Sequence, residues 1–208
     1  MAWKYNPFSG IIDFYDSTAH IGSEEDYASF DLDGQLLLHG AARIRRHLIA
    51  DPKRFKIPAT NYPGESYEGL FYTLDFDKST EESAYLVEHI PYRWDPSTDM
   101  EVMVSWFHDS VDSGAVVWGL EYKAVSSGDS IAGSGTVITQ ASGGNHAPGV
   151  EIRTVFTEKI LHSNIAPDDD IAIRFFRKSG DGADTLNEDA RVINVHIVYI
   201  ENTLGRAI

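Results

Sequence analysis

Chemistry in this chain would have to come largely from histidine and carboxylate, because its 208 residues include no cysteine. The eight histidines are His20, His39, His47, His89, His108, His146, His162 and His196. No HxH or HExxH pair occurs among them, so the short spacings that put two imidazoles on one zinc ion are absent. His89, His108 and His196 fall on predicted strands and would hold a metal only if one sheet face gathered all three. The best calcium candidate is the turn GDGADTLNEDA, residues 180–190, through Asp181, Asp184 and Asp189. Carboxylates close together can cage a hard cation, but acidic turns are ordinary because Asp bonds its own backbone. Residues 11–34 carry Asp13, Asp16, Glu24, Glu25, Asp26, Asp31 and Asp33, without EF-hand spacing, and read as solvated loop acids. There is no GxSxG nucleophile elbow. The Gly-rich segments at 133–137 and 142–145 do not join a strand to a helix, so neither cradles phosphate. The expectation is a protein that is not an enzyme, with no catalytic residue, no metal and no cofactor.

The elements that would position any site are strands. Met100, Val102, Val104 and Trp106 alternate with Glu101, Met103, Ser105 and Phe107. Val116, Trp118, Leu120 and Tyr122 alternate with Val117, Gly119, Glu121 and Lys123. Period-two alternation buries one set and exposes the other. Further strands are predicted over 67–76, 83–94, 131–140, 150–158, 170–178 and 191–199, bounded by turn residues. Val150, Ile152, Thr154, Phe156 and Glu158 form one inner row, and Ile193, Val195, Ile197 and Tyr199 another. The pattern predicts a helix over 41–50, where Ile44 and Leu48 sit at helical spacing between Gly40 and Pro52. Residues 51–66, with three prolines, read as an extended connector. About eight strands and little helix imply an all-β fold, a jelly-roll-like β-sandwich over 67–208. Residues 1–66 form an N-terminal extended arm and extension, and Trp106 and Trp118 lie in the core.

The formal charge is −15. That argues against a nucleic-acid partner, which needs basic patches against phosphate. Arg43, Arg45 and Arg46 form the one basic cluster, and pairing with the preceding acidic loop is expected. The chain shows neither a signal peptide nor an apolar run of membrane-spanning length, so no membrane partner is expected. In the arm, Trp3, Tyr5 and Phe8 are the residue types that anchor interfaces.

Several segments together resemble structural proteins of tailed bacteriophages. They are EHIPYRWDPSTDMEVMVSW, VVWGLEYKAV and GDGADTLNEDARVINVHIVYIENTLG, spanning roughly residues 85–205. The shared features are Pro91 with Trp94, a strand ending in Trp106, Trp118 to Tyr122, the Gly180 to Arg191 loop and the His196 to Gly205 strand. Val104-Ser105 stands where such proteins carry histidines. The resemblance implies a virion component assembled in the host cytoplasm and names no catalytic residue. Its first implied role is a capsid decoration or cement protein, a homotrimer whose partner is the major capsid protein. Its second is a receptor-binding fibre or tail knob recognising host surface glycan.

Overall fold

The computed structural model describes residues 3–6, 11–14, 20–30, 35–109, 111, 114–143 and 146–204, those before residue 23 by backbone alone. In chain order the strands are β1 (Trp3–Asn6), β2 (Ile11–Phe14), β3 (His20–Gly22), β4 (Tyr27–Phe30), β5 (Leu36–Leu38), β6 (Ile44–Ala50), β7 (Gly64–Glu68) and β8 (Phe71–Phe76). They continue with β9 (Ser83–His89), β10 (Glu101–Phe107), β11 (Val116–Val125), β12 (Thr136–Ser142), β13 (Ile152–Val155), β14 (Asp170–Arg177), β15 (Ala190–Glu201) and β16 (Thr203–Leu204). The described helical residues form three single 3-10 turns, at Gly40–Ala42, Pro52–Arg54 and His162–Asn164.

The chain divides into two compact units, one of residues 1–46, 91–95 and 200–208, the other of 47–90 and 96–199. The larger unit holds two antiparallel sheets. One runs β13-β10-β15-β8-β7, with β6 also paired to β15, and the other runs β12-β11-β14-β9. Numbering β8 to β15 as one to eight, the sheet orders are 6-3-8-1 and 5-4-7-2. Successive strands from β8 to β11 switch sheets, which is the double Greek key of a jelly roll. In the smaller unit β16, β5, β4 and β3 form a four-stranded sheet and β1 pairs with β2. There Trp94 is buried and bridges Glu201.

The core of the larger unit is aromatic. Trp118 on β11 stacks on Phe175 of β14 at 5.2 Å and meets Trp106 of β10 edge-on at 5.6 Å. Phe76 of β8 lies edge-on to both Trp118 and Phe175, at 5.5 and 5.6 Å. These rings come from both sheets and interlock them, as T-shaped and offset pairs do. Both tryptophans lie on the inward phase that the sequence predicts.

Four local expectations are corrected. Residues 44–50 are a strand and not a helix, because backbone pairing with β15 outweighs a weak helical preference. Residues 67–76 are not one strand: β7 and β8 form a hairpin that turns at Gly69, whose φ of 56° suits glycine. The inner row of β15 changes phase at a bulge, where Val192 opposes Trp106 and Asn194 opposes Ser105. Ile193 is the extra residue there, so Val192 is buried in its place, with Val195, Ile197 and Tyr199. Of the predicted row on β13, Ile152, Thr154 and Phe156 are buried, whereas Val150 and Glu158 are exposed.

Trp118→Ala removes the ring that touches both sheets. It is expected to cost about 3–5 kcal/mol of unfolding free energy, the range for truncating a large core aromatic. Urea titration followed by far-ultraviolet circular dichroism measures it; a loss under 1 kcal/mol would contradict the interlock.

Candidate functional site

The three aspartates proposed for calcium point to three different partners. Asp184 is buried and ion-paired with Arg177, itself wholly buried, Nη2 to Oδ1 2.7 Å. Asp181 accepts from Lys178 Nζ and Ala183 N. Asp189 accepts from Lys78 N at 3.3 Å. Hydrogen bonds from Lys178 and Ala183 hold the Asp181 carboxyl below the usual carboxylate range. The turn is organised by an arginine that the sequence places in a strand.

The strand histidines do not converge. His89 ends β9 in the four-stranded sheet, between Asp170 (3.2 Å) and Asp168 (3.4 Å). The bond to Asp170, aided by Asp168, raises its pKa. His108 follows β10 in the other sheet; it is buried, and its Nδ1 has no hydrogen-bond partner. His196 on β15 meets His47 of β6, with Nδ1 atoms 3.3 Å apart. Partial burial depresses the His196 pKa, and His47 and Arg153 add to that against the opposing pull of Glu151. Reading residues 41–50 as a helix hides this pair, because only a strand lays His47 beside β15. Among the described residues no group of three or more His, Asp or Glu is placed to hold a metal ion.

In the basic cluster, Arg43 binds Asp95 at 2.9 Å and Arg46 binds Glu201 at 3.1 Å, partners distant in sequence. Of the arm residues, Phe8 lies outside the described residues, as do the side chains of Trp3 and Tyr5. The backbone of Trp3–Asn6 pairs with Ile11–Phe14.

Two surface features of the larger unit were not singled out by sequence. The first is the tip of the β7–β8 hairpin, where Tyr67, Leu70 and Phe71 are 64%, 97% and 59% exposed. Tyr67 sits edge-on to Tyr72 across the hairpin at 5.0 Å. The second is a groove of about 470 Å³ on the outer face of the four-stranded sheet. Six of its strand residues fall in two outward cross-strand rows. Tyr85, Arg174 and Glu121 are in register, as are Val87, Ala172 and Lys123. Glu121 accepts from Arg174 Nε at 3.1 Å and from Gly135 N at 2.8 Å. The Arg174 guanidinium lies 4.1 Å over the Phe176 ring. Phe176 in turn covers Gly119, where any Cβ would sit 2.2 Å from the ring. The sequence does carry a signal for the groove, since the six residues of these rows have the outward phase of their strands. Strand neighbourhood, which makes them adjacent, does not show in the sequence.

A scan against protein-family models finds no match, and a search of curated proteins finds none. Among solved structures the chain is similar to dimeric latent PorU from Porphyromonas gingivalis, at 8% identity and a TM-score of 0.41, over 96% of this chain and 18% of that one. It is also similar to chains in the structures of infectious bursal disease virus. For the Gt strain identity is 17% and TM-score 0.32, over 89% of this chain and 37% of that one. For the Gx strain they are 15% and 0.31, over 90% and 38%. The chain thus spans well under half of each of these proteins, and superpositions this loose carry no argument about function.

Asp184→Ala leaves Arg177 charged, buried and without its carboxylate, and is expected to cost about 3–5 kcal/mol, the usual loss when one partner of a buried pair is removed. Thermal melts with and without millimolar calcium should coincide for the parent chain, since the carboxylates of the turn are engaged elsewhere. A second prediction concerns pH. His196 titrates lower in the folded chain than its ordinary value of 6.5. Between those two values the unfolded chain binds the extra proton, so the contribution of His196 to stability falls as pH drops through that window, opposite in sign to that of His89. His196→Gln should flatten that acid-side slope in urea midpoints measured from pH 7.5 to 5; an unchanged slope would contradict the assignment.

Proposed function

We propose that this chain is a structural component of a virus particle, most directly a decoration or cement protein on the head of a tailed bacteriophage. The observation that carries the reading is the apolar hairpin tip. Leu70 and Phe71 are neighbouring exposed apolar residues at the turn, with Tyr67 exposed on the opposite face of the ribbon, and such surfaces are where partners dock. Beside them β7 is an edge strand of its sheet, the position that proteins cover with a partner or protect with charge. In this reading the tip docks on the major capsid protein or on a neighbouring copy within a homotrimer. With −15 per chain, copies repel at long range, which puts weight on such an uncharged contact. The same charge supports a protein partner over nucleic acid. The protein acts by binding, not by catalysis, and resides in the virion after assembly in the host cytoplasm. Trp3, Tyr5 and Phe8 of the arm are proposed as a second set of anchors, on a neighbour or the shell.

The groove favours a second reading, a receptor-binding fibre or tail knob that recognises host surface glycan. A concave site of this volume with few fixed polar groups is the usual form of a small-ligand site.

The test of the first reading combines solution mass with retention on expanded capsids, for the full chain, for a chain lacking residues 1–9 and for Leu70→Ser/Phe71→Ser. Burying a large apolar side chain contributes roughly 1.5–3 kcal/mol. The double variant should therefore weaken capsid retention by about 100-fold or more. A full chain that is monomeric at micromolar concentration, with both variants decorating capsids normally, would remove the trimer and both proposed anchor sets; a full chain that is not retained on expanded capsids would remove the decoration reading.

A further inference from the structure

We infer that the groove on the outer face of the four-stranded sheet binds a neutral saccharide, across Tyr85, Val87, Ala172, Arg174, Glu121 and Lys123. This rests on the glycan-recognition reading above and adds the ligand class and the residues that contact it.

Shape comes first. Ala172 lies on the middle strand of three, with Val87 on one side and Lys123 on the other. Tyr85 and Arg174 stand in the adjoining row. A methyl side chain among long ones lowers the floor at that point. One wall is the loop after β11, residues 126–135, which places Ile131, 84% exposed, at the groove margin. That loop is fastened to the sheet. Gly135 approaches so closely that a Cβ would lie 2.3 Å from the Tyr122 carbonyl oxygen, and its N–H donates to Glu121. Lys123 Nζ donates to the Ala132 carbonyl. The groove is therefore held by backbone contacts as well as by flexible side chains.

Chemistry selects the ligand. Tyr85, Val87 and Ile131 are exposed apolar surfaces at the groove, and a flat ring suits the C–H face of a pyranose. The polar groups are pinned. Arg174 is oriented by Phe176 beneath it and by Glu121, with Glu81 at 3.5 Å. Two cations, Arg174 and Lys123, thus stand with two carboxylates, Glu121 and Glu81, and the local charge cancels. An anionic ligand would gain nothing from this balance and would meet the field of a chain carrying −15. A cationic ligand would have to compete for carboxylates already bound to Arg174. Hydroxyl groups both donate and accept, so a neutral sugar can bond to a paired arginine and glutamate without leaving either unsatisfied.

The experiment uses the full chain and neutral trisaccharides of glucose, galactose, mannose and N-acetylglucosamine, with a galacturonate trisaccharide as the acidic counterpart. Saturation-transfer NMR and calorimetry measure binding. At least one neutral trisaccharide should bind with a millimolar or tighter constant, and the acidic one should not. Tyr85→Ala should weaken binding at least tenfold. Ala172→Leu, at an exposed position, should abolish it while tryptophan fluorescence and the thermal midpoint stay unchanged. Tyr67→Ala, on the hairpin, should leave binding as it is. Binding of the acidic sugar alone, of no sugar in the set, or undiminished binding in Ala172→Leu overturns the inference. So does a dimer that Ala172→Leu dissociates, which would make the face a contact between copies. Adsorption to host cells separates the two claims: sugar binding without adsorption removes the knob reading and keeps the groove. Adsorption that survives Ala172→Leu removes the groove and keeps the knob.

Discussion

The jelly roll depends on one arginine. Arg177 ends β14 in the four-stranded sheet, fully buried, and all five of its N–H groups have acceptors. Nε and one Nη2 hydrogen reach the Asp184 carboxylate; the others reach the carbonyls of Phe76, Glu188 and Leu186. Phe76 ends β8 in the other sheet, and Leu186 and Glu188 lead into β15. Asp184 also accepts from Val117 N at the start of β11. A single guanidinium therefore joins strands of both sheets and the turn between two of them. Desolvating such a charge is costly, and only a complete set of partners offsets it. The turn can adopt one backbone path that supplies them, which makes the ion pair a determinant of loop conformation more than a source of net stability.

That end of the fold also sets the aromatic core. Phe76, whose carbonyl binds Arg177, turns its ring into Trp118 and Phe175. One residue along β14 from Phe175, Phe176 faces the opposite side and lies across Gly119. The inner rings join the sheets, while the outer ring carries Arg174 and shapes the groove. Rigidity in the core is thereby passed to the surface through adjacent residues of one strand, by the alternation that defines a strand.

The hairpin tip and the groove represent two different uses of exposed surface. Leu70 and Phe71 sit at the end of a two-stranded ribbon, with no surrounding walls, and suit a partner that brings its own pocket. The groove has walls, a floor and neutralised polar groups, and suits a ligand that brings hydroxyls. Both lie in the larger unit, and both are compatible with a role on a particle surface.

Period-two alternation marked the strands of the jelly roll, the inward placement of Trp106 and Trp118, and the all-β class, because burial on one face is a local property of a pleated chain. The double Greek key is consistent with that pattern but is not contained in it. Residues 44–50 are ambiguous by themselves, and pairing with β15 about 150 residues later decided their state. The β7–β8 hairpin hinges on Gly69 inside an apolar run that reads as continuous. One extra residue at Ile193 moved the inner row of β15, and no propensity marks it. In sequence Asp184 is one more acid of an ordinary acidic turn, and only the fold brings Arg177 beside it, since a carboxylate's role depends on which cation lies within reach. The residues of the two groove rows show the outward phase in sequence. Only the order β12-β11-β14-β9 sets Tyr85, Arg174 and Glu121 side by side, because sheet neighbourhood is a long-range choice governed by how two sheets bury a common core.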